Sequence, residues 1–165
     1  MLSEPTIEYR DEQPYASIRK RVAMQDIPKE LPALIPEILQ WVEKKHLKQE
    51  GPVFFRYLSM EKGNIMETEV GVPLSEFPQG DERVKAGSFP SGKYLTARHT
   101  GPYHDLPKSH MAMDSYAQSH DLKEGRITGE KGQVWGTRAE LYITSPMEEK
   151  DPSKWETDLL LLLED

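Results

Sequence analysis

Two short patterns recur in this chain at one fixed spacing. Tyr15-Ala16-Ser17-Ile18-Arg19 is echoed by Tyr94-Leu95-Thr96-Ala97-Arg98, and Asp26-Ile27-Pro28-Lys29 by Asp105-Leu106-Pro107-Lys108, both at an offset of 79 residues (94 − 15 and 105 − 26). A third match, Met66-Glu67-Thr68-Glu69-Val70 with Trp155-Glu156-Thr157-Asp158-Leu159, falls at 89 (156 − 67), a change that longer loops in the second half would account for. A repeat of this period constrains the fold more than any local propensity does. It predicts two copies of one unit, about residues 6–78 and 84–165. One copy alone would leave a sheet face and a helix stripe uncovered, so the two have to pack together. Side chains from both halves then converge on a shared groove, a usual place for a ligand.

Each unit reads as strand, helix, strand, strand. In the first, β-type alternation over Thr6 to Met24 is interrupted near Gln13-Pro14, because proline cannot donate to a ladder. A helix is expected from Asp26, placed as an N-cap, with Leu31, Leu34, Ile35, Ile38, Leu39, Val42 and Leu47 on one stripe; Pro32 and Pro36 weaken its first turns. Val53 to Leu58 and Ile65 to Leu74 follow as strands. In the second unit the expected elements are a strand over Gly92 to Thr100 and a helix opening at Asp105 and closing near Leu122. Its stripe carries Leu106, His110, Met113 and Ala117. Gly125, Gly129 and Gly132 mark a loose connection to a strand over Val134 to Ile143, and Trp155 to Leu163 reads as the last strand. The expected class is α+β: one antiparallel sheet, two main helices and a groove between pseudo-twofold halves, all within a single domain spanning 1–165.

Composition removes several kinds of chemistry. A net charge of −7 argues against a surface that neutralises phosphates, so direct nucleic-acid binding is not expected. The chain has no cysteine, which excludes disulfides and thiolate chemistry. No signal-peptide pattern opens it, and its longest apolar run, Leu159 to Leu163, is far shorter than a membrane span, giving a cytoplasmic location as the expectation. The five histidines show no spacing suited to a metal, so neither a metal site nor a cofactor is expected; His110 and His120 read as surface or partly packed helix residues. Phosphate-binding glycine loops and a Gly-x-Ser-x-Gly elbow are also missing.

What remains is carboxylates and aromatic rings. Glu67 with Glu69, and Glu156 with Asp158, read as solvated strand faces. Glu140 differs, because period-2 alternation sets it beside Arg138 and Tyr142 on one face, with Trp135 upstream. A carboxylate among aromatic rings suits a cationic, hydrophobic ligand, which is attracted by the charge and by ring quadrupoles together. An ion pair of Glu140 with Arg138 explains the same pattern. The candidate ligand-binding residues are Glu140, Tyr142, Trp135, Trp41, Phe55, Tyr57 and Tyr94.

The run from Gly92 to Tyr103, with Asp105-Leu106-Pro107, the Glu140-Leu141-Tyr142 triplet, the Asp151-Pro152-Ser153-Lys154-Trp155 loop and Thr157-Asp158, resembles the gyrase-inhibitor-like (GyrI-like) small-molecule-binding domain. The same domain serves multidrug-sensing AraC- and MerR-type regulators as their effector-binding part. The resemblance covers Thr6 to Glu164 and implies a duplicated strand-helix-strand-strand fold. It also implies a groove for bulky, often cationic aromatic compounds, with an acidic residue at its base; Glu140 matches that acid by position. Because the binding fold takes up the whole chain, no helix-turn-helix domain and no direct transcription control are expected. The leading expectation is a stand-alone binding protein that sequesters or senses such compounds. Some relatives look like hydrolases of strained natural products, and on that alternative Glu140 is general base, with a pKa raised by apolar surroundings, and Tyr142 its partner. A protein-interaction module of gyrase-inhibitor type is the third possibility.

Overall fold

The computed structural model describes residues 1–128 and 134–164, with the side chains of 127, 128, 134 and 135 excepted. The strands are β1 (Thr6–Arg10), β2 (Gln13–Ala23), β3 (Phe54–Glu61), β4 (Ile65–Pro73), β5 (Lys85–Phe89), β6 (Gly92–Thr100), β7 (Ile127–Thr128), β8 (Val134–Trp135), β9 (Arg138–Tyr142) and β10 (Glu156–Leu162). The α-helices are α1 (Ile27–Glu30), α2 (Ile35–Lys44) and α3 (Leu106–Ser119). Among the described residues one curled antiparallel sheet has eight strands in the order β1-β6-β10-β9-β3-β4-β2-β5, and β7 with β8 forms a separate two-stranded ribbon. The class is α+β, as the sequence pattern predicts.

The order reads symmetrically about the β9/β3 junction. On one side stand β9, β10 and β6 and on the other β3, β4 and β2, so that outward from the junction each side presents the second, the last and then the first of its three strands in chain order, the helical segment following the first. At the junction Phe55 lies opposite Glu140 and Tyr57 opposite Arg138. Directly opposed residues share a sheet face, so this register fixes which side chains meet at the seam.

Helices cover the face that carries Phe55 and Glu140. Ile38 and Val42 of α2 pack on Ala16, Ile18, Phe55 and Val70, whereas Leu106, Met113 and Ala117 of α3 pack on Leu95, Ala97, Leu159 and Leu161. Ile38 is wholly buried, and truncating such a residue to alanine typically costs about 2–5 kcal/mol. The opposite face holds a second core of Tyr15, Phe54, Phe89, Tyr94, Leu141, Leu160 and Leu162. Gly71 is needed there, because a Cβ on it would stand 2.5 Å from the Phe54 ring and 2.9 Å from the Ala16 carbonyl oxygen.

Three expectations need correction. The first helix is not continuous: a 3-10 turn over Pro32–Leu34 separates α1 from α2, since Pro32 supplies no N–H and both prolines sit in the opening turn of their own segments. Asp26 and Asp105 occupy N-cap positions, but neither side chain makes a capping bond. The expected strand from Val134 to Ile143 is divided at Gly136-Thr137, where Gly136 N–H donates to the Leu58 carbonyl and the Thr137 carbonyl accepts from Leu162 N–H. The Gly129 and Gly132 part of the predicted connection lies outside the described residues.

Candidate functional site

Glu140 stands in the middle of β9, only 5% exposed, on the helix-covered face. Its oxygens have three donors or partners. Oε1 accepts from the Tyr142 hydroxyl at 2.6 Å and from the Tyr57 hydroxyl at 2.8 Å. Oε2 lies 2.7 Å from Nε2 of His110, which makes an ion pair whenever the imidazole is protonated. The sheet places both tyrosines: Tyr142 is two residues along β9, hence on the same face, and Tyr57 stands one register step away on β3. His110 comes from α3, which crosses above them.

A shell of rings surrounds the carboxylate. Phe55 meets Tyr142 edge-on at 4.8 Å between ring centres, and Tyr103 meets Tyr142 edge-on at 5.4 Å. Tyr103 stacks on Trp155 at 4.6 Å, and Tyr57 stands edge-on to the His110 ring at 6.3 Å. At the rim Arg138 forms a two-pronged pair with Asp114 of α3, at 2.6 and 3.1 Å. Arg138 is thereby engaged by Asp114, and Glu140 by His110.

Electrostatics follow from that geometry. Burial works to raise the Glu140 pKa, but the His110 hydrogen bond and charge and the two phenol bonds outweigh it and hold the carboxyl below its ordinary value. This corrects the expectation of a raised value, which took the neighbours as apolar rings when in fact they present polar atoms to the carboxylate. Burial first, and the Glu140 charge second, push the hydroxyls of Tyr57 and Tyr142 well up, so both remain donors. The Tyr103 hydroxyl moves the same way for the same two reasons.

Of the residues singled out in the sequence, Glu140, Tyr142, Tyr57 and Phe55 come together. Tyr94 does not join them: it is fully buried on the opposite face, where its hydroxyl donates to the Pro90 carbonyl at 2.6 Å. Trp41 packs against the same helix-covered core as Phe55, Tyr57 and Tyr142, with its indole N–H donating to Asp81 at 2.8 Å. The side chain of Trp135 lies outside the described part. Glu69, expected on a solvated face, is 5% exposed and bonded to Tyr15 and Ser17, whereas Glu156 and Asp158 pair with Arg98 at the surface. Sequence reasoning missed His110 and Tyr103 as neighbours of Glu140, and Trp155 as the ring stacked behind Tyr103. A signal existed for His110, a polar residue on the apolar stripe between Leu106 and Met113. Among the described residues no group of three or more His, Asp or Glu side chains is placed to hold a metal ion.

Residues 3–164 match the GyrI-like small molecule binding domain, and the chain belongs to that family. Similar solved structures include the EcmrR C-terminal domain, with 21% identity over 98% of both chains and a TM-score of 0.74. In an EcmrR–DNA complex (20% identity, TM-score 0.77) 98% of this chain matches, spanning 57% of the EcmrR chain. A hydrolase encoded by lin2189 from Listeria innocua matches at 14% identity and a TM-score of 0.67, over 98% of this chain and 92% of its own. SAV2435 bound to tetraphenylphosphonium matches at 11% identity and a TM-score of 0.64, over 98% and 94%. At these identities the likeness concerns the fold. A search of curated proteins finds no match.

Proposed function

We propose that this chain captures bulky, amphipathic organic cations, for sequestration or for sensing through a partner. Glu140 is the anchor, and Phe55, Tyr57 and Tyr142 form the surrounding surface. The observation that carries the reading is the state of the Glu140 carboxylate: it is buried and held ionised by two neutral phenols and one imidazole, with the neighbouring guanidinium of Arg138 engaged by Asp114. A buried negative charge so compensated is an attractive place for a delocalised cation, which the rings contact through their faces. The fold likeness to a protein holding tetraphenylphosphonium supports the choice of that cation as a probe. The mirrored strand order supports descent from two copies of one unit, about 6–78 and 84–165, within a single domain. No helix among the described residues is long and apolar enough to cross a membrane, in keeping with a cytoplasmic binder.

Titrating the chain with tetraphenylphosphonium tests the reading. Glu140→Gln keeps the shape and an acceptor for the phenols but removes the charge, and is expected to weaken binding about tenfold or more, roughly 1.4 kcal/mol. Equal affinity for both proteins would remove Glu140 from the anchor role. A second reading, hydrolysis of an electrophilic compound, has one observation in its favour: a carboxylate in contact with an imidazole and two hydroxyls can relay a proton. The lowered basicity of Glu140 counts against it as the general base. On that reading Glu140→Gln abolishes turnover while binding survives, which single-turnover kinetics would reveal.

A further inference from the structure

Both oxygens of the Glu140 carboxylate already have partners. The two phenols on Oε1 belong to β3 and β9, the central strands of the sheet, and stay where the ladder puts them. The partner on Oε2 belongs to a different layer: His110 is carried by α3, and its side chain is 18% exposed against 7% for the Glu140 side chain. A cation reaching the carboxylate therefore has one contact it can replace without breaking the sheet. If His110 kept both its proton and its place, two positive charges would share a site with one negative charge, and the ligand would be repelled.

We propose that His110 is the resident counter-ion of this site and that an organic cation enters by exchange with it, taking over Oε2 while His110 withdraws and yields its proton to the solvent. The inference rests on the capture reading above and adds to it a specificity rule and a proton balance. The rule is that the ligand must be a permanent or strongly basic cation, since a neutral aromatic compound would leave Glu140 buried without any compensating charge. The balance is up to one proton released for each cation bound.

The groups that face His110 assign this proton. On β9 they are Glu140, which stays ionised, and Tyr142; Arg138 on the same strand remains a cation and is engaged with Asp114 of α3. On β3 the facing group is Tyr57, and ahead of α3 stands Tyr103. All three phenols are pushed upward in pKa, so they keep their protons. An imidazole is the side chain of this set that changes charge between about pH 5 and 8. An exchange that releases a proton makes affinity for the cation rise with pH, by at most about tenfold per unit.

Calorimetric titration of the full chain with tetraphenylphosphonium, which carries no titratable proton, tests the exchange. Runs between pH 5.5 and 7.5 in two buffers of different ionisation heat count the protons. The expected result is net proton release and binding about tenfold tighter at the upper end than at the lower. His110→Gln should release no proton on binding and lose the pH slope. His120→Gln, at an exposed position, should behave as the unaltered protein does. Binding that depends on Glu140 but releases no proton overturns the exchange and leaves the capture reading standing; the wild-type proton count decides this even if a variant fails to fold. Binding indifferent to Glu140→Gln, or no binding at all, overturns both.

Discussion

Glu69 and Glu140 occupy opposite faces of one sheet, each 5% exposed, and the contrast between them separates a structural charge from an exchangeable one. Glu69 lies on β4 between Arg19 of β2 and Arg56 of β3, its direct register partners. Tyr15 donates to it at 2.6 Å and Ser17 at 2.8 Å, while Arg19 approaches to 3.7 Å. Behind Tyr15 sits Arg56, which donates to the Tyr15 hydroxyl, the Ser88 carbonyl and Thr137, and lies over the Phe89 ring at 5.3 Å. All of these partners are on strands or their connections, and both cations are guanidiniums that never lose charge. Glu140 has similar phenol donors but draws its third partner from a helix, and that partner is an imidazole. Acids in strands with aromatic neighbours can therefore serve opposite ends; the mobility and titration of the partner decide which.

The largest effect should come from breaking the locked side. Arg56→Met takes a buried guanidinium donor from the Tyr15 hydroxyl, the Ser88 carbonyl and Thr137, and leaving buried polar groups unpaired costs about 1–3 kcal/mol each. The lower end applies, because Arg56 Nε is itself buried without a partner and the variant removes that unfavourable group. A loss of about 3 kcal/mol in urea unfolding corresponds to a melting temperature lower by roughly 6–12 °C in a chain of this length. Cation affinity of the folded fraction should not change. A stability loss below about 1 kcal/mol would mean that the Glu69 network is not a lock and that the two faces differ less than the geometry implies.

A smaller effect, on the exchangeable side, should appear on acidification. The folded-state pKa of Glu140 is depressed, so its stabilising contribution is fully present above the unfolded carboxyl value of about 4.3 and is lost as pH falls through the lower folded value. Asp81 has the same sign, its carboxyl held at about 2 first by the Val84 N–H and then by the Trp41 indole and the Arg83 N–H. Urea midpoints taken from pH 6 down to pH 2.5 should fall less steeply for Glu140→Gln than for the unaltered chain. Parallel curves would show that Glu140 gains nothing from its partners in the folded state, and the contrast with Glu69 would need another basis.

How far the contrast could be read from the sequence depends on distance along the chain. Alternation locates β3, β4, β6 and β10 to within a few residues, because a half-buried strand writes its period directly into neighbouring positions. The stripe of α2 is equally legible, although Pro32 splits the backbone beneath it. Alternation also sets Glu140 beside Tyr142. It cannot say which face of β6 joins Glu140, since that passes through the β6-β10-β9 register; Tyr94 accordingly ends on the far side. Nor does it pair His110 with Glu140, 30 residues away, or enclose Glu69 between two guanidiniums, because only the packing of α3 and the pairing of β2, β4 and β3 create those contacts.

The smallest expected effect concerns the second attachment of α3 to β9. Asp114 lies one helical turn beyond His110 and pairs with Arg138, so helix and strand present complementary charges in the same order. If both pairs held α3 down equally, His110 would not be free to exchange alone. The side chains of Asp114 and Arg138 are, however, 51% and 27% exposed, and a pair in contact with water gains little over its separate hydration. Asp114→Asn should therefore cost less than about 0.5 kcal/mol in urea unfolding and change tetraphenylphosphonium affinity by less than about twofold. An affinity gain well beyond that would make the rim pair a clasp that opposes ligand entry. Glu140 would then be guarded by the rim pair, and the distinction between the two faces would rest on α3 as a whole and not on His110.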